Sequence, residues 1–253
     1  MLIEIGHVEA LFRYPVKSMA GEQLEASELG WHGLEGDRRL ALRRTEDRSG
    51  FPWLSASKLP DLVLFTPQRR DDDAPGNLPT HVRTPDGREL PVFSDELAAE
   101  IARRHGAPVQ MTQLKHGIFD EAAISLIASA TVREISQLAA QPPDVRRFRP
   151  NILVRLLRPL PFQEDDWVGG ILSFGQADRA PRDSAASDAP AIAVTLRDVR
   201  CSMLNLGPDS ARPAPEILKT VVRIHDNTAG VYATVTRPGR LSVGQPIFLR
   251  TDN

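Results

Sequence analysis

One cysteine, Cys201, stands in a chain of 253 residues. That scarcity excludes an internal disulfide and any metal site built from several thiolates of one chain. It also fits a reducing, cytosolic compartment. Long apolar runs are missing as well. No stretch approaches the roughly 18 residues that a membrane span requires, and the first residues, Met1-Leu2-Ile3-Glu4-Ile5-Gly6, lack the basic flank and apolar core of a signal peptide. We therefore expect a cytoplasmic protein without membrane attachment. Charge of one sign is lacking too. Lys+Arg number 31 against 33 Asp+Glu, a formal net charge of -2, with a pI near 6.3. This points away from nucleic-acid binding. No Walker loop, Rossmann fingerprint or nucleophile elbow is present. No internal repeat is found, and the six histidines show no zinc-motif spacing, so we read them as surface or core residues.

What is there is the balance of a globular protein, with 41% hydrophobic and 25% charged residues. Short strands dominate. Leu40 and Leu42 alternate with Arg39, Ala41 and Arg43, and Gly30, Gly33 and Gly36 mark a turn-rich connection before them. Leu62-Val63-Leu64-Phe65 reads as a further strand, and Asp86-Gly87 as a hairpin turn between Val82 and Val92. Residues 151–157, Ile192 to Leu196 and Val231 to Val235 read as strands. Three helices are expected. The first is capped by Ser94 and ended by Gly106. The second spans Ser129 to Ala140, before Pro142-Pro143. The third follows Pro215, with Ile217, Leu218, Val221 and Val222 on one apolar face. Residues 69–79 and 176–190 read as loops. The pattern is mainly β with some α, a β-barrel or sandwich with helices packed outside.

Several groups carry chemical potential. Cys201 follows Arg200 at the end of a strand. It reads either as a small buried hydrophobe or as an accessible thiolate favoured by the guanidinium. Glu164-Asp165-Asp166 reads either as paired catalytic carboxylates or as an acidic turn before Trp167. Tyr14-Pro15-Val16-Lys17-Ser18, Gly36-Asp37-Arg38-Arg39 and Arg146-Arg147-Phe148-Arg149-Pro150-Asn151 bring cations and hydroxyls to loops. Each reads singly as a solvated patch, or all together as a phosphate cradle.

In order, these pieces resemble the MOSC family, named for the C-terminal domain of molybdenum cofactor sulfurase. The resemblance rests on Arg147-Phe148-Arg149-Pro150-Asn151, Phe162 through Trp167 and Gly169, Arg200-Cys201, Gly230-Val231-Tyr232, Pro238-Gly239 and Val243-Gly244-Gln245-Pro246. Tyr14 to Ser18 and Gly36 to Arg38 resemble the β-barrel domain that precedes MOSC in the branch containing the mitochondrial amidoxime-reducing component. The resemblance implies an N-terminal β-rich domain over residues 1–120 and a MOSC domain over 121–253, or a boundary near 143. It implies a molybdenum–molybdopterin cofactor with Cys201 on the metal. Lys17, Ser18, Arg38, Arg149 and Asn151 would hold the pterin and its phosphate, with Arg200 beside the ligand. It further implies reduction of small N-hydroxylated compounds, with Asp165 or Asp166 relaying a proton. Electrons would come from a separate donor protein carrying flavin, haem or iron–sulfur, since this chain has no cluster-binding cysteines and no flavin fingerprint. Two rival readings stay open: persulfide transfer through Cys201, and a non-enzymatic cofactor carrier. The chain departs from its relatives around Cys201. No second cysteine precedes it, and Ser202-Met203-Leu204-Asn205 replaces a Thr-Thr pair.

Overall fold

The computed structural model describes residues 2–70, 77–118, 120–175 and 189–251. Seven of the eight strands in its main sheet form a ring: β1 (Leu2–Arg13), β2 (Ile124–Ala128), β3 (Ile152–Leu156), β4 (Ile171–Phe174), β5 (Ala191–Val199), β6 (Thr228–Arg237) and β7 (Pro246–Arg250); the eighth, Glu22–Leu24, pairs with the end of β1. The order around the sheet is β3-β2-β6-β5-β4-β7-β1, and β1 pairs back onto β3. The ring is therefore closed, which leaves it no free edges. Every pairing in it is antiparallel except β2 with β3. A parallel pair needs a crossover. Here the crossover contains the second of three α-helices among the described residues, α1 (Asp95–His105), α2 (Ser129–Leu138) and α3 (Glu216–His225).

The barrel takes its first strand from the start of the chain. Within β1, Val8 and Leu11 face the barrel interior with Leu126, Val154, Ile192 and Val231. Ala10 and Phe12 face outward, against Val132 and Ile135 of α2 and Ile217 and Val221 of α3. A bulge between Val8 and Ala10 shifts the register against β3, so both faces of β1 meet apolar partners. Gly6 is required by closeness: a Cβ there would lie 2.0 Å from the Arg155 carbonyl oxygen. The barrel is thus not confined to residues 121–253, because Leu2–Arg13 belongs to it.

Residues 40–113 build a second lobe with its own core of Leu40, Leu54, Leu62, Phe65, Leu97 and Ile101. Leu40–Arg44 pairs with Val109–Gln113, and Thr66–Gln68, His81–Arg83 and Glu89–Pro91 form a three-stranded meander. The Asp86-Gly87 turn joins the last two as expected, with Gly87 at φ 87°. Helix α1 starts at Ser94, whose side chain accepts from the Leu97 N–H, and ends at left-handed Gly106. The apolar run at Leu62 to Phe65 departs from expectation. Pro60–Leu64 is a short 3-10 helix, with proline in its first turn. Helix α3 also differs in detail. Ile217 and Val221 are buried, but Val222 is 52% exposed. Of the expected loops at 69–79 and 176–190, residues 71–76 and 176–188 lie outside the described residues. No helix among the described residues is long and apolar enough to cross a membrane.

Candidate functional site

The residues after β1 are strapped to the start of Leu40–Arg44. The Lys17 N–H donates to the Leu40 carbonyl, and the Arg38 N–H to the Tyr14 carbonyl. Asp37 is fully buried and its Oδ1 accepts from the Tyr14 N–H at 2.7 Å. Its other oxygen pairs with the Arg38 guanidinium. Burial works against that charge, but Asp37 outweighs it and holds the guanidinium above its ordinary range. Arg38 then reaches across the molecule. Its Nη2 donates to the Arg149 carbonyl at 3.0 Å and its Nη1 to Asn151 Oδ1 at 3.3 Å. Asn151 is fully buried and locks three segments, accepting also from the Ser125 N–H and donating to the Phe12 carbonyl.

These links assemble a cavity of about 80 Å³. Lys17, Ser18, Arg38, Arg149, Arg200 and Cys201 line it, together with Asp120, Ser125, Asp198 and Tyr232. Of the residues singled out in the sequence, Asn151 stands behind the wall and orients Arg38. Cys201 is exposed, so the buried-hydrophobe alternative is set aside. Among the described residues no group of three or more metal-ligating side chains occurs. A metal here would therefore arrive carrying most of its own ligands.

The backbone of this cavity is unusual. Ser18, Arg38 and Arg149 adopt left-handed φ angles of 69°, 49° and 52°. Non-glycine residues rarely do so, and such strain concentrates at functional sites. The three strained residues are also three of the cationic or hydroxyl-bearing groups on the cavity.

The two inner guanidiniums differ in their partners. Arg200 donates Nε and Nη2 to the Ala229 carbonyl and Nη1 to the Phe148 carbonyl, and Nη2 lies 2.9 Å from Asp198. Gly230 allows this, since a Cβ there would meet Leu126 O at 2.5 Å and the Arg200 guanidinium at 3.2 Å. Arg200 is a brace for the strand end that presents Cys201. Arg149 donates Nη1 to the Met19 carbonyl and stacks on the Tyr14 ring at 4.1 Å, with no acid in its hydrogen bonds. Burial pushes its pKa down to about 10.

Asp198 was not anticipated. It is 2% exposed and accepts from Ser125 Oγ at 2.9 Å. Burial raises its pKa, against the pull of Arg200. Its signal was parity: it has the spacing of Ile192 and Val194, which face the barrel core from β5.

The acidic turn lies elsewhere. Gln163–Trp167 is a 3-10 helix. Trp167 enters the barrel core at 1% exposure. Glu164 is buried and accepts from the Ala128 N–H and from Thr131 Oγ1, at the start of α2. Asp165 pairs with Arg197 and with His225 Nε2, and Asp166 is exposed. Neither aspartate lines the Cys201 cavity.

A family model for the MOSC domain matches residues 92–248, and one for the MOSC N-terminal beta barrel domain matches residues 5–130. The chain belongs to the MOSC family. Among solved structures it is similar to the YuaD protein from Bacillus subtilis, at 13% identity, with 100% of this chain and 99% of that chain covered and a TM-score of 0.53. That likeness is one of fold. YiiM from Geobacillus stearothermophilus is also similar, at 19% identity over 51% of this chain and 54% of that one, with a TM-score of 0.37. No curated protein matches.

Proposed function

We propose that this MOSC protein is a molybdenum-cofactor-dependent reductase of small N-hydroxylated compounds, fed with electrons by a separate donor protein. The observation that carries the reading is the exposed thiol of Cys201 at a cavity walled by Lys17, Ser18, Arg38 and Arg149. The donor set fits a phosphorylated, sulfur-rich cofactor. Thiolate is a soft ligand suited to such a metal, and guanidinium, ammonium and hydroxyl are phosphate donors. Lys17 now pairs with Asp120, whose side chain is 67% exposed. The Lys17 side chain is only 11% exposed, and a phosphate, with more charge and more acceptor oxygens than one carboxylate, can displace Asp120. The 80 Å³ cavity must widen in this way to admit a pterin.

When bound, the molybdenum centre would supply the two-electron change. Overall, R–NH–OH, two electrons and two protons give R–NH2 and water, with cleavage of the N–O bond. The electrons come from the partner protein. Arg38 and Arg149 hold the anionic end, and Arg200 fixes the strand end that presents the thiol. We assign the proton to Asp198, not to Asp165 or Asp166. Its carboxyl is on the cavity, is kept protonated to higher pH by burial, and has Ser125 as a hydrogen-bond partner.

Cys201→Ala tests the reading. The purified wild type should carry molybdenum and pterin near one per chain and turn over benzamidoxime with a chemical reductant. The variant should keep its fold and lose both metal and turnover. Full metal occupancy in the variant overturns the ligand assignment. Metal without turnover in the wild type favours the carrier, and sulfane sulfur on Cys201 without metal favours persulfide transfer.

A further inference from the structure

A second, larger cavity of about 570 Å³ adjoins the Cys201 cavity, and Arg147, Arg149 and Met203 line both. One side is apolar, formed by Phe12, Tyr14, Val63, Leu64 and Leu206. The shared side is cationic. Neither Arg147 nor Arg149 is in an ion pair among the described residues, although Asp144 acts on Arg147 from a distance. Asp209 is the acid on this cavity's wall, and it is held by Arg146 through two hydrogen bonds. Arg147 donates Nη1 to the Asn205 carbonyl, while its buried Nε has no hydrogen-bond partner. The hydroxyl of Tyr14, which lines the cavity's other side, is likewise buried and unpartnered. A buried polar group without a partner costs stability, and a buried charge without a counter-ion costs more. These two atoms are closed to a ligand, but an anion beside the Arg147 guanidinium would offset its charge.

We propose that this cavity binds the substrate as an organic anion, a carboxylate on an aromatic or similarly flat apolar body. The carboxylate would lie on Arg147 and the body between Phe12, Leu64 and Leu206. The volume suits a small molecule of this kind, and the fork of a guanidinium matches the two carboxylate oxygens. The shared wall gives the direction: a ligand anchored on Arg147 sits beside the turn Ser202–Asn205 that follows Cys201. This deepens the reductase reading by naming its substrate class, but the binding claim stands on the cavity alone.

Two measurements separate the two claims. In the first, benzoate and neutral benzamide are titrated calorimetrically into the purified full-length protein. Benzoate should bind and benzamide should not. Arg147→Met, which keeps most of the side-chain volume, should weaken benzoate by about ten-fold or more, in line with the loss of a charge-assisted contact. Leu64→Trp, which fills the far side, should weaken it without touching the cationic wall. In the second, 4-carboxybenzamidoxime and benzamidoxime are compared as substrates. Arg147→Met should raise KM about ten-fold more for the first than for the second. Equal binding of benzoate and benzamide, or benzoate binding unchanged in both variants, overturns the proposal. Benzoate binding lost in both variants, with neither amidoxime reduced, upholds the cavity and overturns the reductase reading.

Discussion

The acidic turn at Gln163–Trp167 and the cationic wall at Arg147–Arg149 are both charged segments built on short turns, yet they end in opposite states. In the turn the buried carboxylate of Glu164 is fully partnered, although Asp165 keeps one buried oxygen, Oδ1, without a hydrogen bond among the described residues. Glu164 accepts from Ala128 and Thr131, and Thr131 in turn accepts from the Phe162 N–H at 2.7 Å. The start of α2 has no side-chain cap of its own, so Glu164 meets orphan donors that a helix N-terminus leaves. On the cationic wall the partners run out. Arg147 keeps a bare Nε, and Arg149 has a ring and a carbonyl but no acid. Charged residues at a turn do not by themselves indicate function. What separates Glu164 from Arg147 and Arg149 is whether the fold satisfies them.

The comparison predicts that substitutions in the turn act on stability and substitutions on the wall act on binding. The largest stability effect should come from Trp167→Ala. The side chain is 1% exposed inside the barrel, and truncating such a residue costs about 3–5 kcal/mol. Urea denaturation of the purified variant reads this directly. A loss below about 1 kcal/mol would mean that Trp167 is not a core residue and would remove one side of the comparison.

Next in size is Glu164→Gln. The amide keeps an acceptor for the Ala128 N–H, so the change should cost about 1 kcal/mol near pH 4. The pH dependence is sharper than the magnitude. Burial raises the Glu164 carboxyl above 4.5, so the folded state holds this proton more tightly than the unfolded chain does. Its contribution is full below pH 4.5 and declines as pH rises through the elevated value. The glutamine variant lacks this proton. Wild type should therefore lose stability relative to Glu164→Gln as pH climbs from 4.5. A constant difference across that window would show that Glu164 is ionised throughout and that its two hydrogen bonds outweigh burial.

Much of the scaffold was legible because local signals agreed. Ser94 and Gly106 bracket α1, and the alternations at Ile192 and Val231 mark β5 and β6. Leu62 to Phe65 was misread because a run of four apolar residues has no period to tell a strand from a helical turn; Pro60 at its start was the overlooked sign. Closure of the barrel through β1 was beyond local reading, since Leu11 meets Ile152 across 141 positions of chain. The site divides in the same way. Lys17, Arg38, Arg149 and Cys201 were visible as residue types in loops. The left-handed backbone of Ser18, Arg38 and Arg149 was not, because none is the glycine or asparagine that usually announces it. Asp198 was hidden among surface-like neighbours, Arg197 and Val199, although its parity placed it inward.

Arg149→Met should have the smallest effect on the stability of the cofactor-free protein, within about 0.5 kcal/mol of wild type. The substitution removes the Met19 hydrogen bond and the stacking on Tyr14, but it also removes a guanidinium that burial disfavours, as the lowered pKa of about 10 indicates. The two contributions oppose each other. Replacing an unmatched buried charge by an apolar chain of similar length is often neutral or stabilising. Retention of the pterin phosphate should fall sharply in the same variant, because a charge-assisted contact is lost with no substitute. Urea denaturation and pterin fluorescence after gel filtration measure the two quantities on one preparation. A destabilisation above about 2 kcal/mol with unchanged pterin content would make Arg149 another Glu164, a residue the fold uses for itself, and would erase the contrast between the two segments.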